Sequence, residues 1–190
     1  MEKNSDAISM ADVYRFLAQS MHYPTTVWFT DDYRSALFSI LTQLRCDADI
    51  TALEDAKKKS ADFIEDLQIE YTRLFVNGVP CAIAPPYASV HYPGGDGTLY
   101  GRIAEETRMF YRGKGFVLTR TNELPDHIVS ELEFLALLAR AKDDQGEQQF
   151  LERFFTPWFV VFRNRVLAEV CHPYYRVVLQ LIDFFTREEL

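Results

Sequence analysis

The stretch Asp62-Phe63-Ile64-Glu65-Asp66-Leu67-Gln68-Ile69-Glu70-Tyr71-Thr72-Arg73-Leu74-Phe75 reads as amphipathic helix. At about 100° per residue, Phe63, Ile64, Leu67, Tyr71, Leu74 and Phe75 share one arc. Asp62, Asp66 and Glu70 share another, at i, i+4 and i+8. Such an acidic ladder reads as a solvated face bordering the end of the apolar arc. The pattern extends back to Asp49, so the spacing predicts one long helix over 49–75.

Working outward, the same period recurs. Ile8, Val13, Phe16, Leu17 and Met21 predict a first helix over 5–21, with Ser5 as its N-cap and Pro24 beyond its end. A second helix is expected over 26–44. Leu99 to Tyr111 is helical in texture, and Arg112-Gly113-Lys114-Gly115 is its stop signal. Pro125 suits a first helical position, and Ile128, Leu132, Leu135 and Leu138 mark the buried stripe of a helix running to about Ala141. Residues 148–170 predict an aromatic helix bent near Pro157, and Pro173 opens a last one.

Residues 77–97 break the texture with four prolines and four glycines. They predict a long ordered loop or hinge rather than a regular helix. Val79, Ile83, Tyr87, Val90 and Tyr92 make that loop apolar, so it must pack on the core or on a partner. Alternation of period two is sustained nowhere. The fold class is therefore all-α: a single-domain helical bundle of about six to eight helices with a long Pro/Gly-containing loop at 77–97.

Composition narrows the function. With 190 residues, 48% hydrophobic and 25% charged, the chain is globular rather than disordered. A net charge of −8 and a pI near 5.0 disfavour nucleic acid and favour a cationic partner. Lys57-Lys58-Lys59 is the one tight basic run, and it reads as a solvated helix face. Cys46, Cys81 and Cys171 are odd in number and widely spaced, which suits reduced thiols rather than a disulfide framework or zinc site. The first residues lack a basic segment followed by an apolar run, and no run approaches a membrane span, so a cytoplasmic protein is expected.

No catalytic constellation emerges. Asp126 and His127 are neighbours and point about 100° apart on a helix, so they do not form a dyad with each other. A G-x-S-x-G elbow and an H-E-x-x-H pair are absent, and the four histidines are scattered. Gly94-Gly95-Asp96-Gly97 lacks the lysine and hydroxyl residue of a phosphate loop. His172, just before Pro173, reads as a helix-boundary residue. Neither an enzyme nor a cofactor or metal site is expected.

Two segments carry a resemblance. Glu70-Tyr71-Thr72-Arg73-Leu74-Phe75 followed by Ala84-Pro85-Pro86-Tyr87-Ala88-Ser89-Val90 resembles the characteristic region of the TorD-like chaperones, the redox-enzyme maturation proteins. There an aromatic residue precedes x-x-Leu-Phe, and a Pro-Pro-aromatic-Gly/Ala-Ser-Val run follows. Asn122-Glu123-Leu124-Pro125-Asp126-His127 is similar to that family's Glu-Pro-x-Asp-His motif at a helix start. Pro157-Trp158 and His172-Pro173-Tyr174-Tyr175-Arg176 also resemble its landmarks. Tyr87 stands where the family commonly has Trp, Ala88 where Gly is frequent, and the proline and variable positions of the second motif are exchanged. These departures bear on subfamily and client rather than on fold.

The resemblance implies a non-catalytic, all-helical chaperone. It would bind an apo molybdenum-cofactor oxidoreductase, through its twin-arginine leader peptide or its mature part, until the cofactor is loaded and the enzyme exported. A groove for such a leader needs carboxylates for arginine and an apolar trough. The expected trough is Tyr71, Leu74, Phe75, Pro85, Pro86 and Tyr87, with Ser89 in the same motif. Asp126 is the expected arginine partner, Glu123 a lesser one, and His127 orients the loop or touches the peptide. Core packing is the competing reading for Leu74 and Phe75. Residues 77–97 could serve as a hinge for domain exchange, so a monomer and a swapped homodimer are both open. The alternative function is a generic helical interaction or regulatory domain without leader specificity.

Overall fold

The computed structural model describes residues 9–77, 82–95, 97–118 and 124–187. The helices are α1 (Met10–Ser20), α2 (Asp31–Gln43), α3 (Asp47–Lys59), α4 (Phe63–Tyr71), α5 (Ala88–His91), α6 (Arg102–Gly113), α7 (Ile128–Ala141), α8 (Asp144–Phe150), α9 (Thr156–Glu169) and α10 (Pro173–Thr186). π-Helical turns at Thr72–Val76 and Leu151–Phe155 follow α4 and α8. The all-α expectation holds: among the described residues the only β feature is one isolated bridge, Tyr87 to His127.

The element boundaries follow capping chemistry. Ser9, rather than Ser5, caps α1 by accepting from the Asp12 amide. Thr30 caps α2, which shortens the helix expected from residue 26. The helix expected over 49–75 is two helices. Asp62 accepts from the Ile64 and Glu65 amides and so starts α4 afresh, three residues after Lys59 ends α3. The breaker-rich 77–97 segment contains the four-residue helix α5. α7 starts at Ile128 with His127 as its cap, so Pro125 lies outside it. Gly115, at φ +82°, takes the left-handed conformation just beyond α6, as its stop signal requires.

Pro157 explains the break in the aromatic helix. It has no N–H to offer the Arg153 carbonyl four residues back. That carbonyl instead accepts from the Tyr92 hydroxyl at 2.8 Å, and the π-turn at 151–155 lies immediately before α9.

The chain divides into two compact units, each discontinuous in sequence. The first comprises Met1–His22, Pro86–Phe162 and Ile182–Leu190; the second comprises Tyr23–Pro85 and Arg163–Leu181.

In the first unit α1 packs along α7. Its core is aromatic: Phe134 lies 4.2 Å from Tyr111 and 4.9 Å from Phe150 between ring centroids, and Phe155, Trp158, Phe159 and Phe162 continue the cluster. Buried Tyr14 donates to Glu147 Oε1 at 2.7 Å and to the Phe185 carbonyl at 3.3 Å, fastening α1 to α8 and to the end of α10. Burial raises the Tyr14 phenol, and the Glu147 carboxylate raises it further. Tyr14→Phe keeps the ring and strands both acceptors, so urea unfolding should show a loss of about 1–2 kcal/mol. A change under about half a kcal/mol would remove this tie from the account.

In the second unit α2 packs on α3. Phe29, Tyr33 and Tyr174 form one ring cluster, in which the Tyr33 and Tyr174 hydroxyls share a 2.7 Å hydrogen bond. Tyr71, Phe75 and Tyr175 form another, and the Tyr175 hydroxyl donates to the Leu67 carbonyl. Glu70 binds the turn between α9 and α10. Its carboxylate accepts from the Cys171 and His172 amides at 2.6 and 3.1 Å and from Arg73 at 2.8 Å. The Arg73 guanidinium also donates to the Glu169 carbonyl at 2.7 Å. The acidic ladder is thus not a uniform solvated face: Asp62 caps, Asp66 accepts from Ser60, and Glu70 is only 6% exposed.

Candidate functional site

In the first unit, Pro86–His91 and Leu124–Val129 are stitched edge to edge. The Ile128 amide donates to the Pro86 carbonyl at 3.0 Å, and the Ala88 amide donates to the Asp126 carbonyl at 2.8 Å. The Asp126 side chain completes the join: Oδ2 accepts from the Ser89 amide at 2.9 Å, in the first turn of α5. A four-residue helix has little stability of its own, so Asp126 supplies an end-group that α5 lacks.

That role places Asp126 inside the protein, with an exposure of 0%. Its second oxygen, Oδ1, is buried without a hydrogen-bond partner, and so is the Ser89 hydroxyl. Two orphaned polar atoms on one bonded pair are unusual in a folded interior. Pro86 is buried; Tyr87 and His127 are half-buried, and their rings meet edge-on at 4.9 Å. Burial raises the Tyr87 phenol, and the Asp126 charge and Tyr100 add to that.

His127 is a cap rather than a general base. Its Nδ1 accepts from the Val129 amide at 3.2 Å, which requires an unprotonated Nδ1. Burial lowers its pKa to about 4, with His22 contributing in the same direction. The folded value lies below the unfolded one. The stability linked to this group is therefore complete above the unfolded value near 6.5 and is lost as pH falls towards about 4. His127→Asn supplies a non-titrating cap. Urea midpoints taken across that window should fall less steeply with acid in the variant; parallel slopes would show that another group carries the dependence.

Below the join lies a buried polar layer. The Tyr111 hydroxyl donates to the Pro125 carbonyl at 2.7 Å, and Trp158 Nε1 donates to Glu131 Oε2 at 2.9 Å. Sequence reasoning did not single out Tyr111, Glu131 or Trp158 as supports of the site. One signal was available: Glu131 follows Ile128 by three residues, so a carboxylate sits on the buried stripe of α7.

The other expected contact residues belong to the second unit. Leu74 and Phe75 are 0% and 3% exposed, and Tyr71 is buried beside Phe75, so all three sit in that unit's core. Pro85 is half-buried and follows Ala84, whose amide donates to the Leu74 carbonyl at 2.8 Å. Glu123 lies outside the described residues, as do Ser5 and Cys81. Cys46 and Cys171 are free thiols. Among the described residues no helix is long and apolar enough to cross a membrane, and no group of three or more His, Cys, Asp or Glu side chains is placed to hold a metal ion.

Comparison with known proteins gives a consistent picture. The family model described as nitrate reductase delta subunit matches residues 10–164. A perchlorate reductase assembly chaperone protein from Dechloromonas aromatica is 29% identical over 145 residues, covering 66% of this chain and 61% of that protein. The chain thus matches less than two thirds of that relative's length. The chaperone protein TorD of Shewanella piezotolerans is 24% identical over 183 residues, covering 91% of this chain and 85% of the relative. A crystal structure described as a redox enzyme maturation protein, from Archaeoglobus fulgidus, superposes with a TM-score of 0.62 over 98% of this chain and 100% of that one, at 24% identity. The likeness of fold agrees with the all-helical architecture.

Proposed function

Because this chain belongs to the nitrate reductase delta subunit family, the TorD-like chaperones of redox-enzyme maturation, we propose that it serves the catalytic subunit of a molybdenum oxidoreductase. It is a chaperone and not an enzyme. In this reading it works in the cytoplasm, binds the client before its cofactor is inserted, engages the twin-arginine leader, and releases the client for export.

The observation that carries the reading is the join at Tyr87 and His127, with the uncommitted Asp126 Oδ1 behind it. A guanidinium is the group that best uses a buried, half-satisfied carboxylate, because it brings several donors in a fixed fork. The neighbouring Ser89 hydroxyl accepts a further donor. Asp126 is sealed from solvent, so the join opens on binding, and the half-exposed Tyr87 and His127 make the first contacts. Pro86 and Ser89 support the join from within the same unit. The net charge of −8 favours a basic leader at long range.

The test is calorimetric titration of the full chain with a synthetic twin-arginine leader, alongside the leaderless client. Asp126→Asn retains an acceptor for the Ser89 amide and removes the charge; with Tyr87→Ala it should weaken leader binding by about tenfold or more. Affinity should also fall as salt rises. Leader binding that neither variant nor salt alters would overturn the placement. Capture of the leaderless client alone would move recognition to the mature enzyme. The proposal includes a dimer exchanged about 77–97, which light scattering on the purified chain tests.

A further inference from the structure

Among the described residues, Arg45, Tyr100 and Lys142 are the non-glycine residues with a positive φ. Two of them are explained locally. Lys142 is the C-cap of α7 and Arg45 follows the C-cap of α2, positions where a left-handed residue closes a helix. Tyr100, at φ +64°, closes nothing: it stands two residues before α6. The left-handed region is sterically costly for a residue with a Cβ, and glycine is the residue that avoids the cost. A glycine is next in the chain, yet Gly101 has φ −70°, which any residue adopts. The strain therefore falls on the tyrosine.

Packing does not repay it. Tyr100 is 76% exposed, and it makes no hydrogen bond or ring pair among the described residues. What the conformation does is hold an aromatic ring in solvent at one particular place. α5, whose N-cap is Tyr87, packs on α6 in the same unit, and Tyr100 comes close enough to Tyr87 to add to the rise of its phenol. Backbone strain without a compensating contact is characteristic of functional sites.

The join has an opening for one arginine, not two. Asp126 Oδ2 holds the Ser89 amide, Oδ1 is uncommitted, and Glu131 lies fully buried below, bonded to Trp158. Successive side chains of an extended peptide point to opposite sides. When one arginine of an adjacent pair enters the join, the other is left at the rim. An exposed ring suits it there, because a guanidinium is planar and weakly hydrated and stacks on aromatic faces while its edges stay in water. Building on the leader reading above, we infer that Tyr100 seats the second guanidinium of the arginine pair by stacking, while Asp126 takes the first.

The test is calorimetric titration of the full chain with a synthetic peptide that carries an adjacent arginine pair and an apolar stretch. Two analogues replace one arginine or the other by citrulline, which keeps the planar shape without the charge. Tyr100→Leu should weaken the intact peptide by about two- to fivefold, the range of an exposed cation–π contact. Tyr100→Phe keeps the ring face and should recover most of that loss. The Tyr100→Leu effect should vanish against one citrulline analogue, and the Asp126→Asn effect against the other. Tyr100→Gly removes ring and strain together: it should weaken binding as Tyr100→Leu does while the urea midpoint holds or rises. Binding that Tyr100→Leu leaves unchanged, a loss equal against all three peptides, or a Tyr100→Gly protein with a lowered midpoint and intact affinity overturns the assignment and leaves the Asp126 contact standing. A wild-type chain that does not bind the intact peptide overturns the leader reading itself, and the assignment with it.

Discussion

Glu70→Ala should destabilise the protein by about 2–4 kcal/mol in urea unfolding near neutral pH. Several donors depend on this one carboxylate. The Cys171 and His172 amides have it as their acceptor, and Arg73 contributes both Nε and Nη2. Removing the side chain strands two backbone N–H groups at the turn between α9 and α10 and unpairs a guanidinium. The guanidinium is the smaller loss, because the Arg73 side chain is 34% exposed and can turn to water. Arg73→Ala should therefore cost less than Glu70→Ala, about 1 kcal/mol, even though it also gives up the Glu169 carbonyl. Burial by itself would raise the Glu70 pKa; the Arg73 hydrogen bond and the two amides outweigh it, so the net direction is down. A carboxylate held below its unfolded value contributes stability that is complete above that value and is lost as pH falls through the folded one. The difference between the wild-type protein and Glu70→Gln should shrink in acid. Equal losses in the Ala variants of Glu70 and Arg73 would mean that the ion pair, not the amides, dominates.

Glu70 also shows where sequence reading stops. Its spacing from Asp62 and Asp66 is that of a solvated ladder, and nothing local says otherwise. Besides Arg73, its partners lie about a hundred residues downstream, at the Cys171 and His172 amides. Asp126 is the same case: adjacency to His127 rules out a dyad between them, but its burial follows from an amide 37 positions away, on Ser89. The helical class was legible because an apolar arc of period 3.6 is a local property. The break before α4 was legible in principle, since basic residues end α3 and an aspartate starts the next helix. The continuous apolar spacing across 49–75 masked it. α5 was not legible, because its start depends on the Asp126 carboxylate rather than on its own residues. Leu74 and Phe75 carry both a family motif and the core arc, and the structure uses them as core.

Trp158→Ala should be the most damaging single change, at about 4–6 kcal/mol. The side chain is fully buried among Phe155, Phe159 and Phe162, so truncation leaves a large cavity. It also removes the one donor to Glu131 Oε2, on a carboxyl whose Oε1 already has no partner. Burial pushes the Glu131 pKa well above the ordinary carboxylate range; the Trp158 hydrogen bond opposes that and the Asp126 charge adds to it. Glu131 is thus held protonated under conditions where the unfolded chain would ionise it. A carboxyl with a raised folded value contributes stability below its unfolded pKa and loses it as pH rises towards the folded one. Glu131→Gln keeps an acceptor for Trp158 and has no proton to lose. It should therefore be more stable than the wild-type protein at neutral pH, with an advantage that grows as pH rises above the ordinary carboxylate range. Opposite signs for two substitutions at the ends of one hydrogen bond separate this arrangement from a simple structural pair, for which both would be destabilising. A Glu131→Gln protein whose stability tracks the wild type across that range would place the titrating group elsewhere.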